Sequence, residues 1–178
     1  MTSAQVALLR GVNVGGKNIL PMSELKAMFE EAGCASVRTF IQSGNVVFSA
    51  GAGLSKKLAA LIARKIEDRF GYRTPVILRT ADEMRTVVAN NPFLAGADED
   101  HLHVMFLADV PGAPQIAGLD PARSPGDRFA VQRRDVYLHL PNGGARTKLT
   151  NAWFDSKLAT VSTVRNWRTV QKLLGMME

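Results

Sequence analysis

An α+β fold is predicted: a ferredoxin-like βαββαβ N-terminal half packed with a second α+β half of related order. Three observations predict it. The first eighty residues alternate apolar runs and amphipathic stretches in the order β-α-β-β-α-β, the split pattern of ferredoxin-like domains. The two amphipathic stretches end at glycines, and the middle strand pair is joined by a Ser-Gly turn. The remaining residues run β-(α)-β-β-α with one further helix, which echoes the first half. The halves are taken as 1–80 and 81–178, packed together as one compact unit because no low-complexity linker separates them.

Each element has its own signal. "QVALL" is a short apolar run, hence a buried strand. "PMSELKAMFEEAG" opens with Pro21 in a first-turn position and stops at Gly33, placing Leu25, Met28, Phe29 and Ala32 on one helical face. "VRTFIQSGNVVFS" is two β-rich runs around Ser43-Gly44, a hairpin. From Leu54, apolar residues at 54, 58, 61, 62 and 66 mark a second helix that stops at Gly71, and "TPVILR" is the fourth strand.

A capping box, Thr80 to Glu83, opens a short helix that must end near Asn90-Asn91-Pro92. "HLHVMFLA" is a strand, "DVPGAPQIAGLDPARSPG" a long loop with one helical turn, and "DRFAVQ" and "DVYLHL" are strands joined near Arg133-Arg134. "PNGGAR" is a turn. Two helices are expected to close the chain, about 148–158 and then 163–174, the last capped by Ser162 or Thr163.

Composition narrows the functional classes. With 46% hydrophobic and 21% charged residues the chain reads as an ordinary soluble domain, and no apolar run approaches the ~18–20 residues that span a bilayer. No membrane association is expected. One cysteine, Cys34, permits no internal disulfide, and "MTSAQVALLRG" lacks the pattern of a secretion signal; a reducing cytoplasm is expected. The net charge of +6 arises entirely after residue 122, where ten Lys/Arg face four acidic residues. A basic last third suits an anionic partner, either a small molecule or a nucleic acid, and equally suits a charged solvated surface.

The stretch "RGVNVGGKN" at 10–18 is poor in packing groups and rich in hydrogen-bond donors. It spells G-x-x-x-x-G-K-N, one letter from a phosphate-binding P-loop. Asn18 cannot supply the magnesium-ligating hydroxyl, the helix starts too late to include Lys17, and the following strands form a hairpin where that fold needs helical crossovers. These three facts argue against a nucleotide triphosphatase. What remains is a candidate anion nest in which glycine amides converge between two cations. The candidate ligand-binding residues here are Arg10, Asn13, Gly15, Gly16, Lys17 and Asn18, and the hairpin turn adds Gln42, Ser43 and Asn45. The alternative reading is a connecting turn with Asn in left-handed conformation.

At the other end, Arg146 and Lys148 in "GGARTKL" and Arg165 and Asn166 in "TVRNWRTVQKLL" are the further candidates, the last two assigned to a helix N-terminus that would favour anions. Trp167 could stack on a base but fits core packing better, and Tyr137 and His139 share a strand face taken as exposed packing. No metal and no cofactor are expected, because His101 and His103 have no evident third ligand. No Ser-His-Asp elbow, Cys-x-x-Cys pair or general base is evident, so catalytic residues are unassigned. Besides binding of a phosphate-bearing ligand, two readings stay open: an enzyme on a small metabolite, and a protein–protein interaction module. Oligomeric state is not readable.

"LLRGVNVGGKNILPMSELKAMFEEAGCASVRTFIQSGNVVFS", "NPF", "RTKL" and "TVRNWRTVQKL" together resemble the uncharacterised bacterial domain-of-unknown-function family sixteen ninety-seven. Phe40 stands where that family usually has Tyr, Thr147 where it often has Ser, and Arg168 where it often has Asn. The resemblance implies an α+β fold with ferredoxin-like halves and no established activity, substrate or catalytic residue.

Overall fold

The computed structural model describes residues 1–178. The chain divides into two units: Met1–Arg85 together with Lys172–Glu178, and Thr86–Gln171.

In the first unit, β1 (Thr2–Leu9), α1 (Met22–Glu31), β2 (Ala35–Phe40), β3 (Asn45–Gly51), α2 (Ala52–Phe70) and β4 (Val76–Thr80) follow in order. The sheet order is β2-β3-β1-β4, every pair antiparallel, with β1 central: Val6 lies opposite Val47 on one side and Arg79 on the other. This is the predicted ferredoxin-like arrangement. Its core joins Ala7 and Leu9 of β1 and Val46, Phe48 and Ala50 of β3 to Leu25, Met28 and Phe29 of α1 and Leu58, Ile62 and Ile66 of α2. The i, i+3, i+4 spacing on both helices produces that face. Val6 and Leu8, on the other face of β1, are buried too, so "QVALL" carries no polar alternation. Gly71 ends α2 at φ 78°, the left-handed cap that glycine adopts without steric cost.

The second unit repeats the topology. α3 (Ala81–Ala89), which crosses the division, opens with the predicted capping box: Thr80 N–H donates to Glu83 Oε2 at 2.8 Å and Glu83 N–H to Thr80 Oγ1 at 3.2 Å. Then come β5 (Leu102–Leu107), α4 (Ala113–Ala117), β6 (Arg128–Gln132), β7 (Asp135–His139), α5 (Asn151–Leu158), β8 (Ser162–Asn166) and α6 (Trp167–Met177). The sheet order is β6-β7-β5-β8, again antiparallel with its first strand central. Met105, Leu107, Val136, Leu138 and Leu140 form its core with Leu149, Phe154 and Leu158. The rings of Phe129, Trp153 and Phe154 meet edge to face above it.

Residues 162–166 correct the sequence reading. They form a strand paired with β5, not the first turn of the last helix. The helix begins one step later because Asn166 Oδ1 accepts from Thr169 N–H at 2.8 Å, the capping role expected of Ser162 or Thr163. Trp167 is buried at the start of α6, which removes its ring from any base stack. Tyr137 is buried rather than exposed, its hydroxyl donating to Val87 O at 2.9 Å. No helix is long and apolar enough to cross a membrane.

Candidate functional site

The 10–21 segment leaves β1 at Leu9 and is pinned at both ends by apolar side chains, Val12 and Leu20, that join the first unit's core. Between them the chain folds into a miniature hairpin. Asn13 N–H donates to Asn18 O and Lys17 N–H to Val14 O, both at 3.0 Å, with Gly15 and Gly16 at its tip at φ 58° and 71°. Two successive left-handed residues are what a type I′ turn requires, which explains the glycine pair.

The asparagines hold this hairpin down. Asn13, itself at φ 54°, donates through Nδ2 to Leu20 O (2.9 Å) and Gln42 O (2.7 Å), and its Oδ1 accepts from Leu20 N–H (2.8 Å). Asn18, at φ 51°, donates to Gly11 O at 3.0 Å. The Tyr72 hydroxyl donates to Asn18 O at 3.1 Å and the Thr74 hydroxyl to Arg10 O at 2.6 Å. The hairpin turn 41–44 is thereby fastened to the same loop: Gln42 through Asn13, and Gly44 through its carbonyl, which accepts from Leu9 N–H at 2.9 Å. Asn45 is buried and donates to Phe40 O and Ser43 Oγ, so it builds the turn.

The predicted residues 10–18 and 42–45 are therefore brought together, but not all in the expected role. Asn13 and Asn45 spend their amides inside the fold and are corrected from ligand donors to structural ties, whereas Asn18 is exposed and gives one N–H to Gly11 O. Gly15, Gly16, Lys17 and Gln42 stay on the exposed side, and Arg10 is half-buried beside them.

Three residues that the sequence reading passed over sit on the same loops: Val14 is 62% exposed, Ile19 59% and Ile41 51%. Each adjoins a residue of the Asn13 knot. Ile41 is also at φ 50°, a conformation that costs a side chain of its shape about 1–2 kcal/mol. Apolar residues flanking the glycine turn were the only signal in the sequence for Val14 and Ile19, and Ile41 had none.

The second-unit candidates separate. Arg165 lies in β8, buried, its guanidinium donating to Thr163 Oγ1 and Val164 O at 2.8 Å. Burial lowers its pKa to about 10, which still leaves it charged at neutral pH. Arg165 is thus corrected from a helix N-terminus to a buried strand position, whereas Asn166 is exposed, ends β8 and caps the N-terminus of α6 with its own side chain. Arg146 and Lys148 remain exposed on the loop before α5. That loop is tied by Asp127, whose Oδ2 accepts from Ser124 Oγ (2.7 Å) and Thr147 Oγ1 (2.6 Å).

The histidines do not converge on a metal: no group of three or more His, Cys, Asp or Glu is placed to hold one. His139 stacks near Phe93 (6.1 Å) and meets Arg128 Nη2 at 3.2 Å; burial, then the neighbouring Arg128 and His101, keep its pKa below the usual imidazole value. Cys34 is buried, which raises its thiol pKa.

The structure of conserved bacterial protein SP0830 from Streptococcus pneumoniae is similar over 99% of each chain, with a TM-score of 0.76 and 20% identity. That likeness shows a shared fold. No curated protein matches the chain in sequence. The family model described as protein of unknown function (DUF1697) matches residues 1–137, from β1 into β7, which takes in both fastened loops. The chain belongs to that family.

Proposed function

We propose that the protein binds a phosphate-bearing ligand, a nucleotide, an RNA or a phosphorylated metabolite, on the joined 10–20 and 41–45 loops of its first unit. The observation that carries this reading is the exposure of Val14, Ile19 and Ile41 around the Gly15–Lys17 tip, with Ile41 in a left-handed conformation. Folding gains nothing from an exposed, strained isoleucine, whereas a binding surface gains apolar contact area; such outliers concentrate at functional positions. The exposed Lys17 and the tip amides supply positive potential, and the aliphatic groups would receive the ligand's uncharged part. Binding is favoured over acid–base catalysis because "RGVNVGGKNIL" and "IQSGN" contain no carboxylate, imidazole or thiol.

Thermal-shift titration with nucleoside monophosphates and inorganic phosphate tests the reading. Stabilisation of the wild-type chain is expected, with Lys17→Ala weakening binding about tenfold, the worth of one charge-assisted hydrogen bond. A nucleotide that stabilises both proteins equally would remove Lys17 from the site. If an oligonucleotide binds, affinity should fall steeply with salt, since each neutralised phosphate releases counterion; a flat response rejects the polymer.

Ile41→Asn separates binding from stability. Asparagine tolerates the left-handed region, so the variant is expected to gain about 1 kcal/mol in urea unfolding while losing ligand affinity. Gain in stability with affinity intact would make the strain incidental.

A further inference from the structure

The second unit contains a cavity of about 260 Å³ between the β5-β7-β8 sheet face and the loop leading into α5. Its wall is mainly Met105, Leu138, Leu140, Leu149 and Val164. No Lys, Arg, Asp or Glu lines it. An apolar cavity of ~150 Å³ accepts a benzene ring, so this one has room for a ring with a small substituent.

Its threonine and asparagine side chains each have a partner within the protein. Thr147 Oγ1 donates to Asp127 Oδ2 and accepts from Leu149 N–H. Asn151 Nδ2 donates to Ser162 Oγ at 2.8 Å, and Thr150 Oγ1 accepts from Trp153 N–H at the start of α5. His103, on β5 beside Met105's side of the strand, differs: its Nδ1 is buried and has no hydrogen-bond partner in the protein. A buried polar atom left unpaired is costly, and a ligand group reaching it would relieve that cost.

We infer that this cavity is a second ligand site, for a small uncharged molecule with an aromatic or branched apolar body and one hydroxyl group, the hydroxyl pairing with His103 Nδ1. The absence of charged lining residues leaves an ionised ligand without a counter-charge on the wall, which favours an uncharged one. The hydroxyl follows from the imidazole. Burial keeps the ring's pKa below its usual value, against a hydrogen bond to the His101 backbone that raises it, and a hydroxyl both donates and accepts, so it can pair with Nδ1 whichever ring nitrogen carries the proton. The site is independent of the loops of the first unit.

Protein-observed NMR of the full chain, titrated with 4-methylphenol and with toluene, tests this. Saturable shifts are expected on β5, β7, β8 and residues 144–151, with 4-methylphenol binding about tenfold more tightly than toluene. His103→Phe should abolish that preference. Should that variant not fold, His103→Gln, which retains a donor and an acceptor, should keep part of it, and the wild-type ratio alone still decides. No saturable shift at millimolar probe, shifts confined to other surfaces, or equal affinities of the wild type for the two probes would each overturn the proposal.

Discussion

Gly44→Ala is expected to destabilise the first unit by about 2–4 kcal/mol, measured by urea unfolding followed through backbone signals of β1 and β3. Two costs add. Gly44 sits at φ 79°, where an alanine loses roughly 1 kcal/mol or more against glycine. A Cβ at that position would also lie 2.7 Å from both Leu9 Cβ and Val12 Cγ2. Both neighbours are core side chains with no exposed surface to retreat to, so relief needs a shift of β1 or of the loop behind it, at ~1–3 kcal/mol for overpacking. Gly15→Ala supplies the comparison: its φ is 58°, but nothing lies within 4 Å of the added carbon. It should cost only the backbone term, about 1 kcal/mol. Equal costs for the two variants would show that close approach at Gly44 is not what demands glycine there.

That contrast marks how far a sequence carries the fold. The elements with strong local signals were legible: the Thr80–Glu83 capping box, the Gly71 stop, the Pro21 start of α1 and the apolar face of α2 need only neighbours within a turn or two. Residues 162–166 were not, because their Ser and Thr are helix-capping types and the helical period begins directly behind them. Only pairing with β5, some sixty residues away, makes them a strand. Tertiary pairing overrides local preference in a five-residue strand.

The candidate site was legible as a place and misread in its parts. Glycine, asparagine and cations between a strand and a helix located the loop correctly, and the Ser-Gly turn located its neighbour. Asparagine is ambiguous in sequence, since the same amide serves a ligand or the backbone. Asn13, Asn18 and Asn45 all serve the backbone. Ile41 was invisible for the opposite reason: isoleucine is the residue least expected at positive φ, so no turn rule points to it.

Asn13→Ala carries the second large effect. The side chain makes three hydrogen bonds at 2.7–2.9 Å, two of them to the backbone of Leu20, which is fully buried, and one to Gln42 O across the turn. Truncation leaves the Leu20 amide and carbonyl without these partners and places an alanine at φ 54°. A loss of about 2–4 kcal/mol is expected, from one or two unpaired backbone groups plus the left-handed cost. Asn18→Ala, which removes one exposed bond to Gly11 O, should cost about 1 kcal/mol or less beyond its own backbone term. Asn13→Asp is the sharper variant. It keeps the acceptor for Leu20 N–H but turns a carboxylate oxygen toward two carbonyls, so it should be no better than alanine. Hydrogen exchange at the Leu20 amide reads the knot directly: faster in Asn13→Ala, unchanged in Asn18→Ala. If the knot also positions Val14, Ile19 and Ile41 for a ligand, Asn13→Ala must weaken nucleotide binding at temperatures where the unit is still folded. Leu20 exchange that stays slow in Asn13→Ala would mean that Val12 and Leu20 packing alone holds the loop, and Asn13 would be left with only its left-handed backbone to explain it.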